Sequence, residues 1–84
     1  MARYTVISSP IADQQLAQIW LTAPDRDAIT RAAAIAERRL AANADQIGES
    51  RGGGTRVFFV PPLTIYFEIN DPDGIVEVIK FTHG

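Results

Sequence analysis

Thr55-Arg-Val-Phe-Phe-Val60-Pro-Pro-Leu63-Thr-Ile-Tyr-Phe-Glu-Ile69-Asn-Asp71-Pro-Asp-Gly74-Ile75-Val-Glu-Val-Ile-Lys80-Phe-Thr82 is the stretch that decides the fold. Residues 63–69 alternate cleanly, with Leu63, Ile65, Phe67 and Ile69 on one face, as a strand covered on one side does. Residues 55–60 are β-branched or aromatic at most positions and predict a second strand. Pro61-Pro62 ends it, because two prolines cannot sit inside a paired central ladder. Asp71-Pro72-Asp73-Gly74 sets Asp first, Pro second and Gly last, the order a type I turn favours. Residues 75–82 form the last strand, with Val76 and Val78 opposing Ile75, Ile79 and Phe81 under strict alternation. Short connections between these strands predict an antiparallel sheet.

Upstream, residues 4–8 are again rich in β-branched and aromatic side chains and predict an opening strand. Ser9-Pro10 then starts a helix, since Ser caps a first turn and Pro at the first helical position gives up no needed donor. Ala12, Leu16, Ile19, Trp20 and Ala23 follow on one stripe, and Pro24 closes the helix. Asp25 caps a second helix over Arg26–Asn43, a segment of Ala, Arg, Glu and Leu. Its many alanines predict a close approach to whatever it packs on. Arg31, Arg38 and Arg39 read as a solvated face. Gly52-Gly53-Gly54 is followed by no helix and no Lys-Ser/Thr pair, so it reads as a hairpin turn and not as a phosphate loop.

The order is therefore β-α-α-β-β-β, an α+β fold with two helices on a small antiparallel sheet, and a short extra strand is possible at residues 49–51. Eighty-four residues make a single domain, 1–84. The absence of cysteine removes disulfides and thiolate zinc sites. No stretch resembles a secretory leader or a membrane span, so the expected location is the cytoplasm. Both faces of strands 55–60 and 75–82 carry apolar residues, which two helices cannot both cover. Either the strands twist irregularly or a partner chain covers the second face.

Charge excludes one function class. The net charge is −2, and residues 44–84 carry only Arg51, Arg56 and Lys80 against Asp45, Glu49, Glu68, Asp71, Asp73 and Glu77. Independent nucleic-acid binding needs a clustered basic surface, and this half is the reverse. The lone histidine, His83, is a candidate general acid or a surface side chain. No metal-ligand spacing is present, and no metal or cofactor is expected. Glu49, Arg51, Arg56, Lys80 and His83 could converge across neighbouring strands. Arg56 and Lys80 are the best phosphate binders of this set, although Lys80 reads more readily as a solvent-facing charge.

Across nearly its whole length the chain resembles the RelE/ParE superfamily of toxins from type II toxin–antitoxin modules. The residues that carry the resemblance are the helix with Leu16, Ile19 and Trp20, the Ala-rich second helix and Gly48-Glu49-Ser50-Arg51. Gly53-Gly54-Thr55-Arg56, residues 62–67 and the final strand to His83 complete it. The resemblance implies a growth-inhibiting toxin neutralised by a cognate antitoxin. RelE-like members cleave messenger RNA in the ribosomal A site, whereas ParE-like members bind and poison DNA gyrase. It further implies translation inhibition as an mRNA interferase, with ParE-like gyrase binding or an inactive partner-binding scaffold as alternatives. Carried over by position, Arg56, His83, Arg51 and Glu49 would be catalytic, and Lys80 and Tyr66 substrate-binding. The chain departs from the pattern in lacking an arginine near Leu63 or Ile65, and in its acidic balance.

Overall fold

The computed structural model describes residues 3–84, with Asp71 described through its backbone only. The elements are β1 (Thr5–Ser8), α1 (Pro10–Thr22), α2 (Arg26–Asn43), β2 (Glu49–Ser50), β3 (Thr55–Val60), β4 (Leu63–Asn70) and β5 (Ile75–His83). They form one five-stranded sheet in the order β1-β5-β4-β3-β2. Three of its pairings are antiparallel, as expected, but β1 runs parallel to β5, so the sheet is mixed. The physical reason is the helical hairpin: α1 and α2 together lie between β1 and the rest, and such a crossover returns the chain to either direction. Among the described residues no helix is long and apolar enough to cross a membrane.

Both helix starts follow the expected chemistry. Ser9 Oγ accepts the Ala12 N–H at 3.1 Å, and Asp25 Oδ1 accepts the Ala28 N–H at 3.1 Å. Each cap satisfies one of the amide donors that a first turn leaves unpaired. α2 buries Ile29, Ala32, Ala36 and Leu40, and its alanines let the helix settle close on the sheet. From below, Phe58, Val60, Leu63, Ile65, Phe67, Val76, Val78 and Phe81 complete the core. Phe58 and Phe67 meet edge to face with centroids 5.6 Å apart, an arrangement aromatic quadrupoles favour.

The last strand departs from strict alternation. Tyr66 pairs with Lys80 but Phe67 pairs with Val78, so Ile79 is an extra residue in a β-bulge. Val76, Val78 and Phe81 consequently share the helix-covered face, which corrects the expectation that Phe81 opposes the two valines. The bulge is held from both sides: the Ser9 N–H, ending the β1 ladder, donates to Val78 O at 2.9 Å, and Gln15 Oε1 of α1 accepts the Phe81 N–H at 2.9 Å.

Two stability outcomes follow from these contacts. Gln15→Ala strands the buried Phe81 amide and is expected to cost about 1–3 kcal/mol. Phe67→Ala empties a fully buried ring site and is expected to cost about 3–5 kcal/mol. Urea unfolding of both variants against the parent checks the pair, and a Gln15→Ala midpoint equal to the parent's refutes the role given to that side chain.

Candidate functional site

Two helices cover one face of the sheet and leave the other to solvent. On that open face the register sets Glu49 beside Val57, Val57 beside Tyr66 and Tyr66 beside Lys80, a single row across β2, β3, β4 and β5. Lys80 Nζ lies 5.1 Å from the Tyr66 ring centroid, a cation–π contact that orders both side chains. Arg51 borders the row: its N–H donates to Thr55 O at 2.8 Å to close the hairpin, and its side chain is exposed. Arg51, Glu49, Val57 and Phe59 line a depression of about 300 Å³. Val57 is buried between its row neighbours, whereas Phe59 is 62% exposed.

Arg56 and His83 lie elsewhere. Arg56 pairs with Phe67 and His83 with Leu63, so by alternation both belong to the helix-covered side of the sheet. Four residues along β4 and two strand spacings separate them, roughly 16 Å. The Arg56 guanidinium is already engaged: Nη1 donates to the carbonyls of Ala44, Asp45 and Ile47 at 3.4, 3.1 and 3.3 Å. These carbonyls end the helical segment that follows α2, where backbone acceptors lack partners and negative partial charge collects. His83 is exposed at the far end of β5. Of the six sequence-predicted residues, Glu49, Arg51, Tyr66 and Lys80 therefore gather on one face, and Arg56 and His83 join neither them nor each other. Among the described residues no three His, Asp or Glu side chains gather closely enough to hold a metal ion.

The open face is acidic. Glu68 stands directly opposite Glu77, one row along from Tyr66 and Lys80. Glu68 Oε2 accepts only the Thr55 hydroxyl at 3.1 Å, and no cation pairs with either carboxylate among the described residues.

A second feature was not read from the sequence. α1 and α2 splay apart to leave an apolar groove of about 520 Å³, lined by Leu16, Ala17, Trp20, Leu21, Ile29 and Ala33, with Asp13 and Thr30 at its rim. Trp20 Nε1 donates to Thr30 Oγ1 at 3.2 Å across the gap. Arg26 roofs this end, 4.6 Å from the Trp20 centroid, while Nε and Nη2 donate to the last carbonyls of α1, Trp20 O and Leu21 O. The signal in the sequence was an apolar set too wide for one stripe, since Leu21 adds to Leu16, Ile19 and Trp20.

No family model and no curated protein matches the chain. Among solved structures it is similar to a chain of the toxin–antitoxin complex RelBE2 from Mycobacterium tuberculosis, with a TM-score of 0.81 and 17% identity, covering 100% of this chain and 94% of that one. It is also similar to a chain of the chromosomal ParDE toxin–antitoxin system from P. aeruginosa, with a TM-score of 0.73 and 13% identity over 99% and 98% of the two chains. The chain has a RelE/ParE-like fold. The resemblance drawn from the sequence thus holds for the architecture from end to end. At such identities a shared fold leaves chemistry to be argued from the side chains.

Within the RelE/ParE-like fold, Arg56 has a structural task that a truncation exposes. Arg56→Ala removes the donor to three carbonyls and is expected to lower stability by about 1–3 kcal/mol. His83→Ala, at an exposed strand end, is expected to change it by less than about 0.5 kcal/mol. Thermal or urea unfolding of the two variants checks the contrast.

Proposed function

We propose that this chain is the toxin of a toxin–antitoxin pair, that it is neutralised by an antitoxin whose helix lies in the α1–α2 groove, and that it acts by binding its target without cleaving RNA. The solved chains that share its fold come from toxin–antitoxin complexes, which supports the partner class. The observation that carries the non-catalytic reading is the separation of Arg56 from His83, with Arg56 held by backbone carbonyls. Cleavage through a 2′-hydroxyl needs a base, an acid and a cation for the developing phosphorane charge, all within about 3 Å of the reacting atoms. Glu49, Glu68 and Glu77 on the open face also repel phosphate and outnumber Arg51 and Lys80 beside them. A ParE-like toxin that binds DNA gyrase requires no catalytic set and fits this arrangement.

The groove fits an amphipathic helix that inserts apolar side chains at i, i+3 or i+4 and i+7. Asp13 in the groove and Glu37 beyond it have no ion-pair partner among the described residues, so a helix with one or two Lys or Arg at its margin complements them.

One observation favours a second reading, ribosome-dependent cleavage of messenger RNA. Glu49, Tyr66 and Lys80 occupy one cross-strand row with Arg51 beside it, an arrangement that could hold a nucleotide phosphate.

Induced expression of the parent and of the Glu49→Gln/Tyr66→Phe/Lys80→Met variant separates these readings. The expected result is growth arrest by both, with intact transcripts and altered plasmid supercoiling. Arrest with cleaved transcripts, lost in the variant, establishes the nuclease instead, and absence of arrest at full expression removes the toxin reading. Leu21→Glu, at the exposed lip of the groove, is expected to leave arrest intact and to weaken rescue by the co-expressed antitoxin at least about tenfold.

A further inference from the structure

Two adjoining rows on the open face carry their charges in a checkerboard. Across β2, β3, β4 and β5 the first row runs Glu49, Val57, Tyr66, Lys80, with its acid at the β2 end and its base at the β5 end. In the next row Thr55 pairs with Glu68 and Glu68 with Glu77. Arg51 completes it, because its N–H donates to Thr55 O and by alternation it shares the face of Glu49. The second row therefore runs Arg51, Thr55, Glu68, Glu77, with the base at the β2 end and acid at the β5 end. Glu49, Arg51 and Glu77 make no ion pair among the described residues, and the Lys80 ammonium is turned to the Tyr66 ring.

A pattern of this kind is complementary to itself. A twofold axis parallel to the strands, between β3 and β4, sets a second open face against the first and exchanges β2 with β5 and β3 with β4. Glu49 then faces the partner's Lys80, Val57 the partner's Tyr66, and Arg51 the partner's Glu77. Each of these contacts occurs twice, because the same patch serves both copies. Sheets packed face to face lie about 10 Å apart with their strands nearly aligned, a gap that opposed acidic and basic side chains span. An axis running across the strands would set Glu49 over the partner's Arg51, but it would also lay Tyr66 on the partner's Glu68, an aromatic face on a carboxylate.

Phe59 adds the apolar contact. It is 62% exposed on the same face and pairs with Thr64 of β4. Under the axis parallel to the strands it lies over the partner's Thr64, one strand spacing of about 5 Å from its own copy. Five strands, the longer ones of eight or nine residues, give each open face roughly 500 Å² in projection, enough for a weak specific dimer and too little for an obligate one. We propose that the open face is the interface of a homodimer, in which a second copy of this chain packs sheet to sheet with Glu49 against Lys80 and Arg51 against Glu77 across the twofold axis. The helices lie on the other side of each sheet, so the α1–α2 groove stays open and the pairing does not depend on the toxin reading.

Sedimentation equilibrium of the full purified chain tests this. The parent is expected to dimerise with a dissociation constant on the order of micromolar. Glu49→Lys and Lys80→Glu each set like charges against one another twice, and each alone is expected to weaken the dimer at least about tenfold. An equimolar mixture of the two variants is expected to recover the parent's affinity as a heterodimer, since every introduced charge then meets its opposite on the other chain. Recovery also shows that both variants are folded, and it is specific to this axis, because the axis across the strands would leave the introduced lysine facing Arg51. Phe59→Ser, at an exposed position that folding does not need, is expected to weaken the dimer at least about tenfold. A parent that stays monomeric at millimolar concentration overturns the proposal, as does a mixture no tighter than its components or a Phe59→Ser dimer as tight as the parent's. A monomer that arrests growth removes the dimer and keeps the toxin reading, whereas a dimer that arrests nothing does the reverse.

Discussion

The bulge at Ile79, held from outside by α1, is the constraint on which the rest of the molecule depends. Had β5 kept strict alternation after Val78, Lys80 would face the helices and Phe81 would face water. Burying an ammonium without a partner costs far more than one extra residue in a strand. At the bulge Val78 O accepts the Ser9 N–H, which continues the ladder from β1, and the Gln15 carboxamide of α1 accepts the Phe81 N–H. Phe81 then joins Val76 and Val78 in the core, and Lys80 stands beside Tyr66 on the open face.

From that arrangement follows the division of labour among the charged residues. A sheet with helices on one side has two unlike faces, and the parity of a position decides which face it serves. In the sequence Arg56 and Lys80 both read as phosphate-binding cations, Lys80 the more readily as a solvent-facing charge. One closes the end of the helical segment through three carbonyls, and the other meets an aromatic ring in solvent. An arginine bound to the negative end of a helical segment contributes to folding and is not free to meet a phosphate.

The surfaces left over have the character of protein-binding surfaces. An apolar groove lined by Leu16 and Ile29, and two facing carboxylates with no ion-pair partner among the described residues, suit a polypeptide with apolar and basic side chains. Nucleic acid would meet repulsion at the same places. Apolar residues do occupy both faces of the sheet: Phe59 remains exposed where Val57, two residues away, is covered by its row neighbours.

Read alone, the sequence determined the element order, both helix caps, the extent of α2 and the alternation of β4. These were legible because caps, turns and periodicity are local properties of a few neighbouring residues, and the resemblance to the RelE/ParE superfamily implied the same architecture. The candidate set was legible only in part: Glu49, Arg51, Tyr66 and Lys80 do share a face, while Arg56 and His83 do not. Tertiary structure alone decided the parallel pairing of β1, the bulge at Ile79, the engagement of Arg56 and the groove between the helices. Each of these depends on contacts between residues far apart in the chain, such as Gln15 with Phe81 or Tyr4 with Ala41, and no local pattern records which distant partner will satisfy a given backbone group.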